Sequence, residues 1–274
     1  MKRILKSELD KFYTKPSVAD ILINKINLNE YGLVIEPSCG DGSFFNQLNH
    51  NNKIGIDIKP GIDNAIETDY LEWDPNIIDR CFLCDNTNVL VIGNPPFGKQ
   101  GSFAMKFIKK SAEYSDTIAF ILPLSFMKDS VKNRIPEYFH LRTEEILDEN
   151  SFLLDGDNFN VKCCFQIWDK KDIKREKIKK IDPVGFNYTS FENGDADLSI
   201  RRVGVYAGKG SKDINKSKQS HYFIKLNDNN MIDFVISELT KIVWSNLTIG
   251  PRSISKSELN EILNEILNNI CWSR

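Results

Sequence analysis

The sequence predicts an α/β protein built on a mainly parallel β-sheet with helices on both faces. Three observations carry that expectation. Short apolar runs rich in β-branched residues recur through the first two-thirds of the chain, each closed by Gly, Pro or an acidic residue. Amphipathic segments of helical spacing lie between them. Strands that alternate with helices require crossover connections, and crossovers make neighbouring strands parallel. The chain has 274 residues, 41% hydrophobic and 27% charged, which is ordinary for a globular protein and long enough to bury a core without disulfides or metal.

The elements follow in order. Ser17 can cap a first helix carrying Val18, Ile21, Leu22 and Ile26 on one face. Leu33-Val34-Ile35 is the first buried strand, and Lys53-Ile54-Gly55-Ile56-Asp57-Ile58 is the second. Val89-Leu90-Val91-Ile92 is the third and Thr117-Ile118-Ala119-Phe120-Ile121-Leu122 the fourth. Between the last two, Phe103, Phe107 and Ile108 mark a helix with Lys106, Lys109 and Lys110 on its outer side. Glu145-Ile146-Leu147 and the run from Val161 to Trp168 form a closing antiparallel pair. Near the end, Leu259, Ile262, Leu263, Ile266, Leu267 and Ile270 make the stripe of an amphipathic helix whose apolar side is packed core.

Charge is uneven. Thirty-six Lys+Arg against 38 Asp+Glu leave a formal charge of -2, which excludes a protein held on nucleic acid by bulk charge. Yet Lys170 to Lys225 holds 14 basic and 7 acidic residues, a net of +7, so the remainder carries -9. The dense run Lys170–Lys180 reads either as a solvated linker or as part of a nucleic-acid face with Arg201, Arg202, Tyr206, Lys209 and Tyr222. This shift divides the chain into residues 1–169 and a small basic α+β module at 170–274. The N-terminal residues carry no apolar h-region, and no run approaches the roughly 18 apolar residues of a membrane span. The expectation is a soluble, cytoplasmic protein with no membrane partner and an open oligomeric state. Of six cysteines, Cys81 and Cys84 form a C-x-x-C pair with no second pair and no nearby His, which by itself makes no metal site.

Three segments carry chemistry. In Glu36-Pro37-Ser38-Cys39-Gly40-Asp41-Gly42 a strand ends on an acidic residue and a two-glycine turn lets backbone approach a ligand; it lacks the Gly-Lys-Ser/Thr of a phosphate loop. Asp57 closes the next strand about 20 residues on, where a carboxylate accepts bonds from ribose hydroxyls or simply holds a turn. Asp69, followed by Tyr70, can meet an adenine amino group or cap a turn. The most telling segment is Asn94-Pro95-Pro96-Phe97. Two prolines after a buried strand fix an extended loop, Asn94 offers an amide acceptor, Pro95 a carbonyl and Phe97 a flat apolar face.

On these residues the chain resembles the S-adenosylmethionine-dependent N6-adenine DNA methyltransferases of the gamma motif order. Asn94-Pro95-Pro96-Phe97 matches that family's catalytic motif, and Glu36–Gly42 resembles its cofactor loop. Lys11-Phe12-Tyr13-Thr14-Lys15-Pro16 resembles its N-terminal motif, which holds the methionine end of the cofactor. The resemblance covers about residues 11–168 and implies a class I, Rossmann-like seven-stranded sheet with one antiparallel closing strand. It implies S-adenosyl-L-methionine as cofactor, held by Tyr13, Thr14, Glu36, Pro37, Ser38, Cys39, Gly40, Asp57, Ile58, Asp69, Tyr70 and Asn94. It implies catalysis by Asn94, Pro95, Pro96 and Phe97 on a flipped-out adenine. Phe97 stacks on one face of the base, and Phe159, rather than Phe152, covers the other. DNA is the expected partner, and RNA or a protein glutamine amide are the related substrates. A catalytically silent nucleic-acid-binding subunit is the reading from another class. Members that read DNA alone carry a large recognition domain; here either a short module within 170–274 or a partner subunit fills that role.

Overall fold

In the computed structural model of the chain, residues 12–77, 87–190, 194–244, 246 and 251–271 are described. Two compact units result, Met1–Ile178 and Lys179–Arg274. The division falls inside the basic run.

The first unit is organised by a sheet of seven strands among the described residues, in the order β4-β3-β2-β5-β6-β10-β7. These are β2 (Leu33–Pro37), β3 (Lys53–Asp57), β4 (Ile66–Glu67), β5 (Val89–Gly93), β6 (Thr117–Pro123), β7 (Phe139–Ile146) and β10 (Cys163–Lys170). β2 pairs in parallel with β3 and β5, and β5 with β6; β10 pairs antiparallel with both β6 and β7. The expected mainly parallel, seven-stranded sheet with one antiparallel strand is therefore present. The antiparallel strand is not at the edge but lies between β6 and β7. Every residue of β2, β5 and β6 is buried, as continuous apolar strands require when both sheet faces are covered.

Helix α1 (Pro16–Ile23) corrects one expectation. Ser17 does not cap it: Lys15 holds the cap position with no side-chain bond, and Pro16 occupies the first turn. Proline suits that position because its fixed φ is already helical and its missing N–H would be unsatisfied anyway. Ala19, Leu22 and Ile23 are buried, whereas Ile21 is exposed. Helix α2 (Ser102–Ser111) buries Ala104, Met105, Phe107 and Ile108 and leaves Phe103 exposed under Lys106. A short α3 (Asp129–Lys132) follows β6.

A second, three-stranded sheet has no counterpart in the sequence reading. β1 (Tyr13–Thr14) pairs antiparallel with β8 (Phe152–Leu154), which turns back into β9 (Asp157–Phe159). The start of the basic run also behaves as more than a linker. Arg175 donates to the carbonyls of Lys132, Ile135 and Phe139 and lies 5.5 Å from the Trp168 ring, while Lys174 and Lys177 pair with Glu137.

The second unit is an antiparallel sheet, β11 (Phe186–Thr189), β12 (Leu198–Arg201), β13 (Gly210–Ser211) and β14 (His221–Leu226), in the order β11-β14-β12-β13. Helices α4 (Ile232–Lys241) and α5 (Lys256–Cys271) complete it. Its core joins Leu198, Ile200 and Ile224 of the sheet to Val235, Leu239, Leu259 and Leu263 of the helices, so the terminal stripe is packed core as expected. The side chain of Ile270, and Lys11, Cys81 and Cys84, lie outside the described residues. Among the described residues no helix is long and apolar enough to cross a membrane.

Candidate active site

The chain runs from β2 outward through β3 to β4, then returns to the other side of β2 for β5 and β6. That reversal opens a crevice at the carboxyl ends of β2 and β5, the position where open α/β sheets bind ligands. The segment Glu36–Gly40 leaves β2 and Asn94–Phe97 leaves β5, so both motifs border this crevice. They also touch: the Ser38 hydroxyl is shared between the Pro37 carbonyl and the Asn94 carbonyl, the latter at 3.4 Å. Ser38 adopts φ of 60°, a left-handed conformation uncommon for a residue with a Cβ and concentrated at functional turns.

Glu36 is the most unusual group here. It is 3% exposed, and its Oε2 has no hydrogen-bond partner. Burial pushes its carboxyl well above the usual range; a hydrogen bond from the Phe45 backbone opposes this, and Asp41 and Asp57 reinforce it. Gly93 makes the space: a Cβ on Gly93 would lie 3.1 Å from Glu36 Cγ.

The turn after Glu36 is pinned from below. Asp57 Oδ2 accepts the Gly40 N–H at 2.9 Å, and its Oδ1 accepts the Lys59 N–H at 2.8 Å. Gly40 has φ of 50°, and a Cβ there would meet the Tyr13 ring at 2.9 Å, so the N-terminal motif lies directly on the turn. Cys39 is turned into the protein, its N–H on the Ile56 carbonyl at 3.0 Å and its thiol pushed up to about 12 by burial. Asp41 closes the turn by accepting the N–H and hydroxyl of Ser43. Next to Asp57, just past the end of β3, Ile58 is 71% exposed.

Asp69 and Tyr70, the remaining predicted pair, follow β4. The Tyr70 side chain is not presented to the crevice. It is buried, bonded to the Ser111 and Tyr114 hydroxyls and packed against Trp73 and Phe107. An aromatic body and one polar tip are both satisfied there, leaving only its backbone for a ligand. Asp69 uses Oδ1 on the Leu71 N–H, a turn-capping bond.

At the β5 end, Asn94 Oδ1 is buried and has no hydrogen-bond partner. The loop holding it is rigid. Pro95 and Phe97 are buried, and the Phe97 carbonyl accepts the N–H groups of Phe103 and Ala104 at the start of α2. Opposite, the three-stranded sheet aligns Thr14, Phe152 and Phe159 as successive cross-strand partners. Phe12 joins this row to the loop, its ring 5.3 Å from Phe97, 5.1 Å from Phe152 and 6.0 Å from Phe159. Phe152 is fully buried and Phe159 half-buried. Sequence reasoning missed Phe12 as a site residue; the signal was its place inside the N-terminal motif, one residue before Tyr13-Thr14.

Thr14 Oγ1, Glu36 Oε2 and Asn94 Oδ1 are all buried without a partner. Folded proteins leave few such atoms, so three of them from the segments bordering one crevice need a cause. A ligand that brings its own donors and acceptors supplies one.

No family profile matches the sequence, and no curated protein does. Solved structures match the fold at low identity. A Pyrococcus horikoshii protein assigned as an RNA methyltransferase is 17% identical, over 57% of this chain and 82% of that one, with a TM-score of 0.41. The 23S rRNA methyltransferase ErmE is 13% identical, over 58% of this chain and 69% of that one, with a TM-score of 0.42. A Vibrio vulnificus protein assigned as the modification subunit of a type I restriction enzyme is 15% identical, with a TM-score of 0.44. That alignment takes in 91% of this chain but only 56% of the Vibrio one. These likenesses are of fold alone.

Proposed function

We propose that the chain is an S-adenosylmethionine-dependent methyltransferase that modifies the exocyclic N6 amine of adenine in DNA. The observation that carries this reading is Asn94. A buried amide oxygen without a partner, on a loop stiffened by two prolines at a sheet crevice, is an acceptor held ready for an N–H.

The chemistry follows from the amine. The lone pair of adenine N6 is delocalised into the ring, so the nitrogen is a poor nucleophile. Asn94 Oδ1 accepts one amine hydrogen and the Pro95 carbonyl accepts the other. Together they draw the nitrogen toward tetrahedral geometry and concentrate its lone pair. As positive charge grows on nitrogen, both dipoles stabilise it without reorganising. The nitrogen would gain the methyl group as the donor's sulfur–methyl bond breaks and leaves its electron pair on sulfur, and one amine proton would pass to water. Phe97 and Phe159 provide apolar faces for the ring, and Phe12 and Phe152 back them. A base paired inside a duplex cannot reach such a site, so it must leave the stack.

The residues present fit the cofactor. S-adenosylmethionine, when bound, supplies the activated methyl group. Thr14 Oγ1 and the Tyr13 ring would hold its methionine end, and Glu36 would accept from its donors. Asp57 spends one lone pair of each oxygen on backbone, which leaves acceptor capacity for ribose hydroxyls. Ile58 offers its exposed face, and Asp69 its second oxygen, to the adenine. The whole-chain assignment is tested with tritiated methyl donor and DNA, RNA and protein offered side by side. Label recovered as N6-methyladenine from DNA is the expected result. Label confined to RNA or to protein would replace the DNA assignment, and cofactor binding without any transfer would favour a silent subunit.

A further inference from the structure

None of the residues of that reading lies in the second unit, which carries a surface of its own. Residues 201–209 leave β12 as a loop clamped at its base. The Gly208 N–H donates to the Arg201 carbonyl at 2.7 Å and the Arg201 N–H to the Lys209 carbonyl at 3.0 Å. A second clamp comes from residues 252–254: Gly204 N–H donates to the Arg252 carbonyl at 2.9 Å and Ile254 N–H to the Arg202 carbonyl at 2.8 Å. On this stiff loop Val205 is 87% exposed and Tyr206 66% exposed.

The cations around it are distributed in a particular way. Lys212, Lys216 and Lys225 are paired with Asp233, Asp213 and Asp197. Among the described residues no carboxylate bridges Arg201, Arg202, Lys209, Arg252 or Lys256. Three of these lie on tyrosine rings instead: Lys209 is 5.9 Å from Tyr206, Arg202 is 5.4 Å from Tyr222, and Lys256 is 4.2 Å from Tyr188. Tyr188 and Tyr222 meet edge to face at 5.7 Å, so Lys256, Tyr188, Tyr222 and Arg202 form one continuous row. The row is fixed, because Tyr222 donates to the Ile254 carbonyl and Tyr188 to Asn260 Oδ1. Glu258, whose charge reaches Tyr222, uses Oε2 on the Ser255 N–H. Arg202 Nε is buried without a partner.

We propose that this loop and its cation–tyrosine row bind a strand of nucleic acid. Lys256 and Arg202 of the row and Lys209 beside Tyr206, which no carboxylate bridges among the described residues, match phosphates, and the exposed Tyr206 ring matches the face of an unpaired base. An acidic protein would satisfy the charges but would leave Tyr206 without a flat partner. This proposal concerns holding the strand and is independent of which atom is methylated.

The test is fluorescence anisotropy of the full chain with a short labelled single-stranded oligonucleotide at two salt concentrations. Tyr206→Ala should weaken binding on the order of 10-fold, while Tyr206→Trp keeps it. Lys209→Gln should lower the salt dependence by about one counterion. Lys212→Gln, which removes a lysine already paired, serves as the control and should bind as the parent does. Circular dichroism confirms that each variant is folded. Parent-like binding by both Tyr206→Ala and Lys209→Gln would overturn the proposal, as would equal competition by a polyglutamate peptide. Asn94→Ala keeps this surface, so intact strand binding without transfer separates the two proposals.

Discussion

The crevice at the ends of β2 and β5 and the loop at residues 201–209 treat polar groups in opposite ways. In the crevice, oxygens of Thr14, Glu36 and Asn94 are buried and lack partners. On the loop, Arg201 and Lys209 meet no carboxylate among the described residues and remain in reach of water. A buried unpaired acceptor costs the isolated protein roughly 1–3 kcal/mol, and only a ligand of matching geometry recovers it. A solvated cation costs almost nothing and attracts any polyanion until salt screens it. The first arrangement suits selection of an atom, the second retention of a strand. The contrast teaches where specificity is stored.

The contrast breaks first at Asn94. Asn94→Ala should reduce turnover by about 100-fold or more while cofactor affinity stays near that of the parent, because the lost interaction strengthens on the path to transfer. Single-turnover rates with calorimetric binding measure both, and parent-like turnover would remove Asn94 from the mechanism. Asp57→Ala comes next. It frees the Gly40 and Lys59 N–H groups, so cofactor binding should weaken by about 10–100-fold, as expected for losing roughly 1–3 kcal/mol. An unchanged dissociation constant would reduce Asp57 to a turn residue.

Glu36 sharpens the comparison through pH. Its folded-state carboxyl is raised by burial, so the charged form is disfavoured by the fold. The stability linked to it is fully present below the unfolded carboxylate value and is lost as pH rises through the raised folded value. Glu36→Gln should therefore raise Tm at neutral pH by about 2–4 °C, the shift roughly 1 kcal/mol produces in a chain of this size, and the gain should fade in acid. Cofactor affinity of the same variant should fall. If Tm were unchanged at every pH, the carboxyl would already have a partner. The smallest effect belongs to Tyr70→Phe. Loss of its bonds to Ser111 and Tyr114 should cost about 1 kcal/mol of stability in denaturant titration and leave cofactor affinity unchanged. A weakened cofactor would return the Tyr70 hydroxyl to the site.

What was legible follows from how local each feature is. Asn94-Pro95-Pro96-Phe97 announces itself because proline fixes φ without help from the fold, and the buried run before it places the loop at a strand end. The parallel sheet was legible from its apolar runs because both of its faces are covered. Ser17 was misjudged because Pro16 had already set the first turn, making a side-chain cap unnecessary. The setting of the Tyr70 side chain was not legible, because Phe107 and Tyr114 arrive from a distant segment and join Trp73, three residues on, to enclose it.

By itself the sequence determined the buried strands of the seven-stranded sheet and the helices α1, α2 and α5, the two loops that border the crevice and the concentration of cations after Lys170. These depend on periodicity, on proline and on charge, all of which act over a few residues. Only the tertiary structure decided that Thr14 and Phe12 meet the Phe159 hairpin, that Ser38 touches Asn94, and that Lys256 and Tyr188 extend the row begun at Arg202. Such meetings arise when distant segments pair as strands or pack in one core, and no local pattern records which partner each segment will find.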